Sequence, residues 1–109
     1  MRVLVGLGFI VVAAVSGCGG QIPPVTPEVV AIAQQRWPAA TTDSLTRGRA
    51  ILTTRCGQCH RPPGPADHSE NEWNYYLPIM APRAQLSATQ RDELTIFLFA
   101  ARVPLPAAQ

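Results

Sequence analysis

The chain reads as a small all-α protein, and three observations say so. Apolar residues recur at helical spacing in four separate stretches. Three of these stretches are preceded by a Ser or Thr suited to capping a helix, two of them with Glu or Gln three residues further on. No stretch alternates apolar and polar residues as a half-buried strand would, and there is no repeat or low-complexity tract.

The chain opens MRVLVGLGFIVVAAVSGCGG. Arg2 supplies a short positive region, and Val3 to Val15 is an apolar run with small residues. The run is short for a permanent membrane span, although a plain transmembrane anchor is the competing reading, and its flanks are those of an export signal. The closing Val15-Ser16-Gly17-Cys18 resembles the bacterial lipoprotein signal, which is cut before its cysteine. That resemblance implies a signal peptide over 1–17 and a Cys18 carrying diacylglycerol and an acylated amine. Several acyl chains, at about 0.8 kcal/mol per buried methylene, would make a stable membrane anchor. A disulfide through Cys18 is the alternative, and it would leave one of Cys56 and Cys59 unpaired. Gly19 stands where an aspartate goes with inner-membrane retention in some bacteria, which leans towards the outer membrane.

Residues 18–25, with Pro23 and Pro24, read as an extended, flexible linker. The folded domain is expected over 26–109. Its first helix starts at Thr26-Pro27-Glu28, a capping hydroxyl followed by proline at the first helical position and an acid. Val30, Ala33 and Trp37 follow at helical spacing, and Pro38 ends the helix. A second helix starts near Thr42 or Asp43, lays Leu45, Gly48 and Leu52 along one face with Ile51 beside them, and runs into Cys56. Arg61-Pro62-Pro63-Gly64-Pro65 is a proline-stiffened loop. The third helix has a capping box at Ser69 and Glu72, then Trp73, Tyr76, Leu77 and Met80 in an amphipathic pattern. Pro78 predicts a kink or an end near Leu77, at a cost of about 3 kcal/mol in an undisturbed helix. The fourth helix is capped by Ser87 and Gln90, buries Leu94, Phe97, Leu98 and Ala101, and stops before Pro104 and Pro106.

Once the signal is removed, eight arginines face seven acids, and the chain has no lysine. That balance lacks the basic stripe of a nucleic-acid binder. Four short helices in about 90 residues bury little apolar surface, so a staple such as a metal, a disulfide or a large cofactor is expected.

The stretch Cys56-Gly57-Gln58-Cys59-His60 supplies one, because Cys-x-x-Cys-His is the attachment signature of c-type haem. Two thiols one turn apart can add to the two vinyl groups of one porphyrin, and the next imidazole can then reach the iron. That imidazole has to be neutral and oriented, usually through its other ring nitrogen, and a carbonyl of the following proline loop is a suitable acceptor. Three other readings compete. A dithiol redox site normally follows a strand, and no βαβ pattern is present. Cys56, Cys59, His60 and His68 could form a zinc set, but adjacent Cys59 and His60 suit a tetrahedron poorly. The third is chance occurrence in an unrelated exported helical protein.

The stretch from about Asp43 to Arg102 resembles the small class I cytochromes c. Gly48 lies eight residues before Cys56 with Leu52 midway, like the first helix of that family, where glycine lets the terminal helices cross closely. Arg91 to Leu98 resembles the last helix, with Leu94 and Phe97 against Gly48. Trp73 precedes Met80 by seven residues, as a tryptophan precedes the ligand methionine in small monohaem members. The resemblance implies a cytochrome c-like fold of three to four short helices around one covalent haem c, here with an extra N-terminal helix. It implies thioethers at Cys56 and Cys59, His60 as proximal iron ligand and Met80 as distal ligand. His68 is the alternative distal ligand, although its place beside a capping box suggests an exposed loop residue. Trp73 and Tyr76 are expected to pack on the haem, and Arg83 is a candidate partner for a propionate. Arg47, Arg49, Arg55 and Arg61 read as a solvated face rather than a docking patch.

The implied role is a single-electron carrier rather than an enzyme, anchored in the cell envelope facing the periplasm and docking transiently with redox proteins. A dedicated cytochrome subunit of an oxidoreductase and a five-coordinate haem sensor or enzyme are the alternatives.

Overall fold

The computed structural model describes residues 21–103. Within them lie four α-helices: α1 Pro27–Arg36, α2 Thr42–Thr54, α3 Glu70–Arg83 and α4 Ala88–Ala101, with single 3₁₀ turns at Cys56–Gln58 and Pro65–Asp67. There is no strand among the described residues. The stretch expected to be a signal peptide and Cys18 fall outside them, as do Pro104 and Pro106. No described helix is long and apolar enough to cross a membrane.

Side chains satisfy the free N–H groups at every helix start. Thr26 Oγ1 accepts from Val29 N–H at 3.3 Å, with Pro27 at the first helical position. Ser69 with Glu72 and Ser87 with Gln90 form reciprocal capping boxes. Thr41 and Ser44 make a further box, with bonds of 2.9 and 3.1 Å. The sequence reading missed this one because serine replaces the usual Glu or Gln at the third position.

α2 and α4 form the most extensive helix pair. They bury Leu45 and Leu52 on one side and Leu94, Phe97 and Leu98 on the other, each at most 2% exposed. Full burial of such a side chain stabilises by about 1.5–3 kcal/mol. Gly48 sits at the crossing. A Cβ there would run into the Glu93 carbonyl and lie 3.0 Å from Phe97 Cβ, so the close approach needs glycine, as expected from its spacing to Cys56.

α1 packs mainly on a second side of α4. Its deepest residue is Val29, with Ala33, rather than Val30. Trp37 meets Phe99 with ring centroids 6.1 Å apart, and the Arg36 guanidinium lies 4.7 Å over Trp37. This explains why α4 buries Phe99 and Ala100 beyond its expected stripe: two helices cover it from two directions.

Two expectations change. Of the kink or end expected near Leu77, the end is not there: α3 runs through Pro78 and Pro82 to Arg83. Pro78 and Asn74 are both exposed, so the carbonyl deprived of its partner at Asn74 can bond water instead. Residues 21–25, the described part of the expected linker, are neither helix nor strand, and they are tied to the domain. Arg49 Nε donates to Pro23 O at 2.9 Å and Arg49 Nη2 to Ile22 O at 3.2 Å, while Ile22 and Val25 pack against the core.

Candidate cofactor site

α3 touches α4 over a small area and scarcely meets α2. Between them lies a cavity of about 280 Å³. Leu52 of α2 with Leu94 and Leu98 of α4 line one side. Trp73, Leu77 and Met80 of α3 line another. Cys56, His60 and His68 join from the segment between α2 and α3, and Tyr76 also borders it. All the predicted site residues but Cys59 therefore come to one apolar hollow, from α3 and the segment before it, against leucines of α2 and α4. Cys59 is exposed and does not line the cavity.

The Cys-x-x-Cys segment follows the C-terminal end of α2 as a 3₁₀ turn. Both thiols are free. Burial pushes the Cys56 thiol above its ordinary range, and the nearby Arg55 offsets this only in part. The negative end of a helix also disfavours a thiolate. A dithiol redox nucleophile needs the reverse, a thiolate stabilised at a helix start. Among the described residues no three His, Cys, Asp or Glu side chains converge as a metal-binding group, and Cys59 of the zinc reading lies off the cavity.

His60 Nδ1 lies 3.0 Å from the Arg61 carbonyl. A carbonyl only accepts, so Nδ1 carries the proton and Nε2 keeps its lone pair. The acceptor expected in the proline loop is thus the residue immediately after the histidine. Trp73 Nε1 donates to Pro65 O at 2.8 Å in a buried bond, which ties that same loop to α3. Met80 is half-buried, and Tyr76 stands at the edge, 36% exposed.

Arg55, the residue before Cys56, holds the far end of α3. Its Nη2 donates to Ala84 O at 2.8 Å and to Gln85 O at 3.1 Å. α3 closes there with Leu86 N–H on Ala81 O and Gln85 N–H on Pro82 O, both 3.0 Å. This is a Schellman ending with Gln85 at φ 56°, a position that favours glycine. Arg55 therefore joins the segment carrying Cys56 and His60 to the helix carrying Met80.

Three of the four arginines read as a solvated face are cross-links. Besides Arg49 and Arg55, Arg47 Nη2 pairs with Glu93 at 2.9 Å across the α2 and α4 crossing. Arg83 is exposed in the last turn of α3. His68 is not the exposed loop residue expected. Its side chain is 27% exposed, and its ring lies edge-on to Trp73 with centroids 4.9 Å apart. Spacing to a capping box located it on the chain but not on the cavity wall.

No known family model, curated protein or solved structure matches this chain.

Proposed function

We propose that this chain is a lipid-anchored monohaem c-type cytochrome that carries single electrons in the bacterial cell envelope. One observation carries the reading: an apolar cavity draws together Cys56, His60 and Met80 beside Trp73 and the Leu52, Leu94 and Leu98 side chains. The donor set fits a haem, with a thiol, an imidazole and a thioether around apolar walls. When bound, the haem supplies a one-electron iron couple.

The chain's own residues do the rest. Cys56 and Cys59 would each add S–H across a vinyl C=C to form a thioether. His60 would hold the iron through Nε2, its Nδ1 proton directed to Arg61 O. The Met80 thioether would hold it as well; a soft thioether favours ferrous iron and would raise the potential. The leucine side chains exclude water, and the Trp73 bond to Pro65 O holds the wall and the loop in register. Cys18 would anchor the chain by its acyl groups, leaving the domain to dock transiently with redox partners.

The test is the visible spectrum of the mature chain made with a cytochrome c maturation system. The expected result is a sharp low-spin reduced spectrum, a weak sulfur-to-iron band at the red end when oxidised, and no shift with carbon monoxide. A carbon monoxide shift would replace the carrier with an open-site sensor or enzyme. A colourless protein would overturn the reading.

A further inference from the structure

One ligand-type side chain on the cavity has no part in the reading above. His68 occupies extended backbone, φ −126° and ψ 146°, between the 3₁₀ turn at Pro65–Asp67 and the start of α3. Its ring packs against Trp73 at 4.9 Å and 89°, and against Tyr76 at 4.9 Å and 49°. It lines the same cavity as His60 and Met80.

The state of its ring nitrogens matters most. His68 Nδ1 lies 3.3 Å from Glu72 Oε2. The other oxygen of that carboxylate accepts the Ser69 N–H at 3.1 Å, so the capping box of α3 fixes the group that holds the histidine. An ionised carboxylate only accepts, so Nδ1 carries a proton and the neutral ring keeps its lone pair on Nε2. His60 is held in the same way by Arg61 O. A carboxylate or carbonyl on the second ring nitrogen is the usual support of a metal-bound histidine: it sets the tautomer, fixes the ring and makes the free nitrogen more basic. The cavity thus carries two imidazoles prepared alike.

We infer that His68 is a reserve iron ligand. When Met80 is absent or displaced, His68 Nε2 would hold the iron together with His60 Nε2. This rests on the haem reading above. His68 already lies on the wall of the cavity that His60 and Met80 line. The two states differ in potential, the bis-histidine one being lower because imidazole favours ferrous iron less than a thioether does. Ligand exchange would then move the carrier out of its working range without loss of haem.

The experiment compares holoprotein variants by optical spectra, carbon monoxide binding and potential. Met80→Leu conserves volume and cannot ligate. The expected result is loss of the sulfur-to-iron band, retention of a low-spin spectrum, no carbon monoxide adduct on mixing, and a lower potential. Adding His68→Phe keeps an aromatic ring against Trp73 and Tyr76, and should give a high-spin protein that binds carbon monoxide. If Met80→Leu is not recovered as holoprotein, Met80→Ala serves the same comparison. A high-spin, carbon monoxide-binding Met80→Leu protein overturns the inference, as does a double variant that stays low-spin. A coloured wild type with either of these outcomes leaves the haem reading standing; a colourless wild type removes both.

Discussion

The two sides of α4 are built on opposite terms. Where α4 crosses α2, the backbones approach so closely that Gly48 has no room for a methyl group. Where α4 faces α3, side chains stand apart around a cavity, and the two helices touch only over a small area. The first interface is held by direct packing and by the Arg47 to Glu93 pair. On the second side α3 is held through its neighbours rather than through α4, by Trp73 on Pro65 O and by Arg55 on Ala84 and Gln85. One face is closed by direct packing, and the other leaves an apolar cavity of about 280 Å³.

Gly48→Ala attacks the tight side. Alanine would gain about 1 kcal/mol in helix propensity. The clash falls on a backbone carbonyl that no rotamer change can relieve, and overpacking typically costs about 1–3 kcal/mol and sometimes more. The clash should win, with a net loss of up to about 2 kcal/mol in denaturant unfolding. An unchanged midpoint would mean that the clash costs no more than the helix propensity gained.

Trp73→Phe tests the margin of the open side. It keeps an aromatic wall but leaves the Pro65 carbonyl without its donor. The expected loss is about 1–2 kcal/mol, with faster hydrogen exchange in the Pro62–Asp67 loop. A loss of stability without loosening of the loop would assign Trp73 to packing alone.

Gln85→Gly acts in the other direction. A non-glycine residue in the left-handed region costs roughly 1 kcal/mol, whereas glycine adopts it freely. The variant should be more stable by about 0.5–1 kcal/mol in thermal unfolding. A loss would show that the Gln85 side chain itself holds the Schellman turn.

Local signals were legible because they act within one or two turns. The caps at Thr26, Ser69 and Ser87 were readable because the bonded atoms lie three residues apart. The Thr41 and Ser44 box obeys the same geometry with an atypical residue, and was missed for that reason. Gly48 could be read through its spacing to Cys56. Pro78 could not, since whether a proline ends a helix depends on what the rest of that helix packs against. The arginines were hardest: a guanidinium on a long flexible stem has no local partner in sequence, and Arg55 finds its carbonyls about thirty residues away.

The sequence by itself determined the helices, their caps and the Cys56, Cys59 and His60 cluster, because each depends on neighbours along the chain. Only the tertiary structure decided that Met80 and His68 share a cavity with His60, that Arg61 O and Glu72 set the two imidazoles, and that Arg55 ties the halves of the site together. The cavity needs α3 held away from α2 while both helices stay anchored to α4, and that spacing is set by how whole helices pack rather than by any one segment.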